Sequence, residues 1–130
     1  MKYNKIYGKT VLVADDVEIN RKIITKLISA LGGKAVCATN GHDAVKLFKV
    51  SSEGEYSIVL MDICMPIMNG YEASAAIRMS EHPDAKNIPI IAISSEKHED
   101  VNSLCLKAGM NLHMEKPFSP DRLIEELEKL

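Results

Sequence analysis

The sequence predicts an α/β fold built on a single five-stranded parallel sheet. Five short apolar segments recur along the chain, and a helical pattern of apolar residues follows each one. The segments are apolar throughout, so both faces of the sheet need a covering layer of helices, as in parallel sheets with alternating strands and helices. A chain of 130 residues is long enough to enclose one such core, and we therefore expect a single domain.

The first half of the chain contains three predicted strands and two helices. The strands are expected at residues 11–14, 34–38 and 56–61. A helix is expected from Val17 to Leu31, where Gly32 and the following glycine end it. Asn40 and the glycine after it turn the chain into a second helix, which breaks at residues 51–54. The apolar stripe predicted for the first helix consists of Ile19, Ile23, Ile24, Leu27, Ile28 and Leu31.

The second half repeats this alternation. Asn69 and the glycine after it lead into a third helix, and strands are expected at residues 88–93 and 112–114. Between those strands a fourth helix ends at Gly109, and a last helix starts with Ser119 as its cap and Pro120 in its first position. The bond before Pro117 is a candidate cis peptide. We assign residues 1–9 to a lead-in and residues 10–130 to the domain.

Composition and charge exclude several classes of protein. The net charge is −2, and lysine and arginine are scattered, so nucleic acid is not an expected partner. No segment approaches the ~18 consecutive apolar residues of a membrane span, and no apolar stretch follows Met1 as in a signal peptide. We expect no direct membrane contact and a cytoplasmic location. The three cysteines are far apart in the sequence, which favours reduced thiols over disulfides or a zinc site.

Two adjacent carboxylates, Asp15 and Asp16, stand where the first buried strand ends, and the third strand also stops at a carboxylate, Asp62. If these strands are neighbours, ~4.8 Å apart, three carboxylates converge on one cleft at the carboxyl edge of the sheet. Crowded acids raise one another's pKa unless a cation neutralises them, and Mg²⁺ prefers a few carboxylates and water. The sequence therefore predicts a site for Mg²⁺ or Mn²⁺.

A hydroxyl and an ammonium group are predicted at the same edge. Ser94 closes the fourth strand, and Lys116 follows the fifth. Together with the metal, these groups suit an attack of the Asp62 carboxylate on phosphorus, because cations neutralise the phosphoryl oxygens in the transition state.

In order and spacing, these segments resemble the receiver domain of two-component signalling, from about Gly8 to Leu130. The resemblance rests on the phrases VLVADD, VLMDICMPIMNGYEA, IPIIAISS and LCLKAGMNLHMEKPF. It implies a flavodoxin-like (βα)5 fold with strand order 2-1-3-4-5. It also implies a phosphoacceptor that takes its phosphoryl group from a histidine kinase or a histidine phosphotransfer domain and that is not an enzyme in isolation.

The resemblance assigns roles to the acids of the cleft. Asp62 corresponds to the phosphoacceptor, and Asp16 to a direct ligand of the metal. Asp15 would hold the metal through water, and the backbone carbonyl of Cys64 would complete the protein ligands.

Further roles follow from the same resemblance. Ser94 would follow the phosphoryl oxygen as a switch residue, and Lys116 would pair with that oxygen. Cys64 and Glu96 occupy the two positions that tune hydrolysis in similar receivers. His113 stands where an aromatic switch residue is usual. It is either a partly exposed imidazole or a ring that turns inward when Ser94 moves.

Several alternatives remain open at this stage. The phrases ADDVEIN, MDICMPIMNGYEA and CLKAGMN favour a receiver from a hybrid sensor histidine kinase, and a stand-alone regulator is the alternative. An aspartate-nucleophile phosphatase usually needs a second acid at the position of Cys64, and a flavodoxin-like binding module needs a glycine-containing first loop. Taken alone, Asp16 would cap the first helix. The histidines predicted to be solvated are His42, His82 and His98.

Overall fold

The computed structural model describes residues 4–95 and 100–130. Within these residues, five strands alternate with five helices, as predicted. The strands are β1 (Thr10–Ala14), β2 (Lys34–Ala38), β3 (Ile58–Asp62), β4 (Ile90–Ser94) and β5 (Leu112–Glu115). The helices are α1 (Glu18–Ala30), α2 (Gly41–Val50), α3 (Gly70–Met79), α4 (Val101–Lys107) and α5 (Pro120–Glu128). None of the described helices has the length and apolar character needed to cross a membrane.

The five strands form one parallel sheet in the order β2-β1-β3-β4-β5, which confirms the predicted topology. The register aligns the carboxyl ends of the central strands. Ala14 at the end of β1 pairs with Met61, and Asp62 at the end of β3 pairs with Ile93. Side chains that follow β1, β3 and β4 therefore meet at one edge of the sheet, which we call the carboxyl edge.

The sheet separates two hydrophobic cores. Ile24 of α1 and Leu123 of α5 belong to one core, so these two helices cover the same face. Phe48 of α2, Ile77 of α3 and Cys105 of α4 belong to the other core. Helices on both faces explain why β3 and β4 are buried at every residue.

The apolar stripe predicted for α1 is only partly buried. Ile24, Leu27 and Ile28 are buried, but Ile19 and Ile23 are 61% and 54% exposed. Helix α1 begins four residues after β1 ends, so its first turn, with Ile19, lies beyond the strand ends, and Ile23, one turn later, is on the same side of the helix, which faces away from the sheet. The α1 side therefore presents two isoleucines beside the carboxyl edge.

Side chains fix the starts of three helices. The side chain of Asn69 accepts a hydrogen bond from the Glu72 amide, and the Glu72 carboxylate accepts one from the Asn69 backbone amide, which completes a capping box. Asn40 caps α2 and Ser119 caps α5, with proline in the first turn of α5 as predicted. The peptide bond before Pro117 is cis.

The residues before β1, predicted as a lead-in, pack against the domain. Ile6 is fully buried in the core that contains α1 and α5. The Gly8 amide donates to the Gly32 carbonyl at 2.9 Å, and Lys5 Nζ donates to the Leu127 carbonyl at the end of α5, also at 2.9 Å. This segment therefore closes the amino edge of the sheet, opposite the carboxyl edge.

The prediction that His82 is solvated is wrong, because its side chain is 4% exposed. Its Nε2 lies 2.9 Å from the Ser51 carbonyl oxygen, and its Nδ1 accepts a hydrogen bond from the Asp84 amide at 3.0 Å. The ring packs on Phe48 with their centroids 4.4 Å apart. His98, for which the same prediction was made, lies outside the described residues.

Arg78 links the end of α3 to two loops at the amino edge. Its guanidinium donates to the Gly109 carbonyl at 2.9 Å, to the Ala85 carbonyl at 3.0 Å and to Asn111 Oδ1 at 2.9 Å. Gly109 has a φ of +86°, and a Cβ there would clash with the Arg78 side chain. Burial lowers the pKa of Arg78, and its three acceptors are neutral.

Candidate functional site

The structure brings Asp15, Asp16 and Asp62 together at the carboxyl edge. One carboxylate oxygen from each lies within 4.8 Å of the others. Asp15 follows β1 directly and Asp62 ends β3, and these two strands are hydrogen-bonded neighbours. Asp15 and Asp62 are buried, whereas Asp16 is exposed. The register of the two strands therefore explains the convergence of the acids.

Lys116 reaches this cluster from the end of β5. Its Nζ lies 2.7 Å from Asp15 Oδ2 and 3.4 Å from Asp62 Oδ2. Its own amide donates to the carbonyl of Ser94 at 3.0 Å, which anchors the backbone to the end of β4. One ammonium against three carboxylates leaves the cluster with an excess of negative charge.

Both carboxylate oxygens of Asp15 have a partner. Oδ1 accepts the Val17 amide at 2.9 Å, and Oδ2 accepts the Lys116 ammonium. Val17 is the residue before the first turn of α1, so Asp16 is not the cap of that helix. The alternative in which Asp16 serves only as a cap of α1 is therefore wrong.

The pKa of Asp62 is raised from 3.8 to about 6; burial is the largest cause, Lys116 opposes the shift, and the charges of Asp15 and Asp16 add to it. Burial also disfavours the Lys116 ammonium, but the bonds to Asp15 and Asp62 outweigh this effect and raise the Lys116 pKa. Lys116 alone does not neutralise the cluster. Three hard oxygen donors at the mouth of a cleft fit Mg²⁺ by charge and by ligand type.

The remaining predicted site residues lie on the same side or on β5. Ser94 is 1% exposed at the end of β4. Cys64 is exposed in the loop between β3 and α3, and it lines a cleft that also contains Asp16. His113 is half-buried and lines a separate cleft between α4 and β5. Glu96 lies outside the described residues.

One feature of the loop between β3 and α3 was not predicted. Ile67 has a φ of +70°, and the Met68 amide donates to the Pro66 carbonyl at 2.7 Å across it. A three-residue turn of this kind is rare and strained. Pro66 and the Asn-Gly pair that follows indicate a turn in the sequence, but they do not indicate which residue takes the positive φ.

A parallel sheet of this order, with three converging carboxylates and a lysine at its carboxyl edge, defines the receiver class of α/β domains. The family model of the response regulator receiver domain matches residues 11–128. This chain belongs to that family.

Curated relatives include both hybrid kinases and regulators. The chain is 34% identical over 123 residues to the peroxide stress-activated histidine kinase mak2 of Schizosaccharomyces pombe, covering 93% of this chain and 5% of the kinase. It is 38% identical over 122 residues to two-component response regulator 24 of Arabidopsis thaliana, covering 93% of this chain and 83% of the regulator. The chain thus spans only a small part of the kinases it matches.

Solved structures give the same fold. The receiver domain of a sensor histidine kinase from Pseudomonas aeruginosa, described with a magnesium ion coordinated in its active site cleft, superposes with a TM-score of 0.81 at 29% identity. That match covers 94% of this chain and 96% of the other. The CheX–CheY–BeF3–Mg²⁺ complex of Borrelia burgdorferi gives a TM-score of 0.84 at 26% identity, covering 95% of this chain and 89% of the matched one.

Proposed function

We propose that this receiver domain accepts a phosphoryl group from phosphohistidine onto Asp62. The observation that carries the proposal is the position of the Asp62 carboxylate, 5% exposed, 3.4 Å from Lys116 and clustered with Asp15 and Asp16. This combination offers a carboxylate nucleophile, a fixed positive group and ligands for a metal. As an isolated domain, the chain is an acceptor and does not turn over a substrate.

The acids would hold Mg²⁺, or Mn²⁺, at the mouth of the cleft. Asp16, Asp62 and the backbone carbonyl of Cys64 would bind it directly, and Asp15, whose oxygens already have partners, would act through water. When bound, the metal supplies positive charge next to the phosphoryl oxygens. The magnesium ion described in the Pseudomonas receiver supports this assignment.

The chain's own groups account for the transfer. An Asp62 carboxylate oxygen attacks phosphorus, the new O–P bond forms as the N–P bond to the donor imidazole breaks, and the imidazole keeps the electron pair. Asp62 must be ionised to attack, so its pKa of about 6 places the reactive form above that pH. Lys116 pairs with a phosphoryl oxygen, and the Ser94 hydroxyl donates to another. Cys64 and Glu96 tune the later hydrolysis.

The phosphoryl group then biases a two-state equilibrium, because Ser94 gains a contact only when it is present. The surface of α4, β5 and α5 would change, with His113 as a candidate switch residue on β5. His113→Ala should leave the rate of Asp62 phosphorylation nearly unchanged and alter the affinity for a partner that binds this surface. Unaltered affinity would reduce His113 to a partly exposed imidazole without a switch role.

The partner would be a histidine kinase or a histidine phosphotransfer domain. Asp62 is buried, so a protein donor must insert its imidazole at the carboxyl edge and cover the residues around the opening. Val17, Ile19 and Ile23 lie on that side with 43%, 61% and 54% of their surface exposed. We favour a parent hybrid sensor kinase over a stand-alone regulator, and a cytoplasmic location.

Incubation with phosphoramidate and Mg²⁺, followed by intact mass measurement, tests the proposal. We expect one added phosphoryl group that is labile to alkali and to hydroxylamine. Asp62→Asn should abolish the addition, whereas Asp121→Asn, at an exposed position on α5, should not. Label that persists in the Asp62 variant would overturn the acceptor assignment. Multiple turnover of p-nitrophenyl phosphate would favour a phosphatase instead.

A further inference from the structure

We infer that Ile67 determines which phosphohistidine protein can dock on this receiver, through an apolar contact that small phosphodonors do not make. The inference rests on the proposed function, since it concerns the donor in that transfer. The backbone of Ile67 has a positive φ, a conformation that does not stabilise the fold.

Ile67 adopts a conformation that its side chain disfavours. Among the described residues, it is the one non-glycine residue with a positive φ, at +70°. Left-handed backbone is unfavourable for side chains with a Cβ and especially so for β-branched ones, whereas glycine and asparagine tolerate it. An isoleucine at this turn is therefore a poor local choice.

The surrounding loop holds this conformation in place. The Met68 amide bonds to the Pro66 carbonyl, and the Met68 carbonyl accepts the Gly41 amide at 3.1 Å. The Gly70 amide bonds to the Ile63 carbonyl at 2.8 Å, just before α3. The two bonds of Met68 and the bond between Gly70 and Ile63 restrain the loop from Ile63 to Gly70, and this restraint holds the backbone of Ile67 at positive φ.

The Ile67 side chain contributes little to the interior, since 81% of its surface is exposed. An asparagine would fit the backbone better, and hardly any packing would be lost. Backbone strain kept where the side chain packs against nothing in the interior points to a role outside the folded chain.

The position of the turn indicates which partner would use it. Pro66 and Asn69, on either side of the turn, line the cleft that contains Asp16 and Cys64. Ile67 therefore stands at the rim of the cleft that leads to the acids. A protein that brings a phosphohistidine to buried Asp62 covers this rim and can bury the isoleucine, whereas phosphoramidate enters the cleft without touching it.

Two substitutions separate the side chain from the backbone. Ile67→Asn relieves the strain and removes the apolar contact, and Ile67→Leu removes the β-branch but keeps an apolar side chain. Met79→Gln serves as a matched control, because Met79 is 85% exposed at the far end of α3. The protein donor is the histidine phosphotransfer protein of the source genome that transfers fastest to the unmodified chain, charged with ³²P.

We expect Ile67→Asn to slow transfer from the phosphotransfer protein about tenfold, as loss of one apolar interface contact does. Labelling by phosphoramidate should stay within about twofold, and the melting temperature should rise by about 3 °C. Ile67→Leu should keep transfer from the protein within about threefold of the unmodified rate, and Met79→Gln should change neither reaction.

Three results would overturn the inference: unchanged protein transfer in Ile67→Asn, an equal slowing with both donors, or a melting temperature that falls. Unchanged protein transfer would show that Ile67 makes no contact with the donor. Equal slowing with both donors would show that Ile67 affects the geometry of the site itself, and a lower melting temperature would show that the turn is not strained. Failure of phosphoramidate to label the unmodified chain is a different result, because it would count against the proposed function itself.

Discussion

The two edges of the sheet differ in how completely their buried polar groups are paired. At the amino edge, each guanidinium nitrogen of Arg78 meets a neutral oxygen, and both ring nitrogens of His82 have hydrogen-bond partners. At the carboxyl edge, Asp15 and Asp62 compete for one ammonium, and the pKa of Asp62 is raised to about 6.

This difference indicates that the carboxyl edge lowers the free energy of unfolding and, in return, holds groups that can bind and react. A satisfied polar network holds loops in one arrangement, whereas an undersatisfied cluster keeps binding capacity for a cation and a phosphoryl group. The strained turn at Ile67 lies on the same side as the acids. Substitutions at the two edges should therefore change the free energy of unfolding with opposite sign.

The largest effect is expected at the amino edge. Arg78→Met should lower the free energy of unfolding by about 3 kcal/mol, because three acceptors around the guanidinium lose a charged donor. Arg78→Lys, which keeps the charge and restores part of the bonding, should lose less. Urea denaturation measures both. Equal stability of Arg78→Met and the unmodified chain would contradict the role given to this edge.

At the carboxyl edge, Asp62→Asn should raise stability by about 2 kcal/mol at pH 7.5 without metal, because a buried charge beside two acids is removed. The folded-state pKa of Asp62 is about 6 and its ordinary value is 3.8, so the fold binds this proton more tightly than the unfolded chain. The unmodified chain should therefore lose stability as pH rises from 3.8 to about 6.

The Asp62→Asn variant should lack that pH-dependent loss. Denaturation at several pH values in EDTA tests this, with Asp121→Asn as the control for removal of one exposed carboxylate. A variant that is less stable than the unmodified chain at pH 7.5 would contradict the picture of a strained acid cluster.

Metal binding should restore part of the stability that the crowded carboxylates cost at the carboxyl edge. Saturating Mg²⁺ should stabilise the unmodified chain by roughly 1 to 3 kcal/mol, and Asp16→Asn should weaken the response. The effect should shrink below pH 6, since a proton then competes for Asp62. A thermal melt in MgCl2, compared with KCl at equal ionic strength, measures it. A melting temperature that does not change when Mg²⁺ is added would count against the metal site.

The smallest effect concerns the lifetime of the phosphoryl group. Cys64 is exposed beside the cleft, and a thiol is a weak hydrogen-bonding group that positions water poorly. Cys64→Asn should therefore speed loss of phosphate from Asp62 without changing its uptake. Cys37→Ser, at an exposed cysteine on the edge strand β2, serves as the control. An unchanged decay rate would remove Cys64 from any tuning role.

Much of the fold could be predicted from local patterns. The strands show as apolar runs and the helices as stripes with recognisable ends, such as Ser119 before α5. The approach of Asp15 to Asp62 follows from two strand ends, and the strand order came from the resemblance to receivers. These features depend on residues close together in the sequence or on one edge of a sheet.

The features that could not be predicted depend on distant partners. His82 is buried because Phe48 and Ser51, on and after α2, close over it. Ile23 is exposed although it fits a helical stripe, because α1 turns that side away from the sheet. The positive φ of Ile67 depends on how α2 and α3 hold the loop. Periodicity carries no information on such contacts.

The packing of the lead-in gives the domain a polarity for attachment. Lys5 Nζ lies 3.3 Å from the Leu130 carbonyl, so both described ends of the chain emerge at the amino edge. A flexible tether joined to either end would hold the domain at its amino edge and leave the carboxyl edge, with the acids, free to move. The tether length would then set the effective concentration of the acids around a donor on the same assembly, without altering any residue of the site.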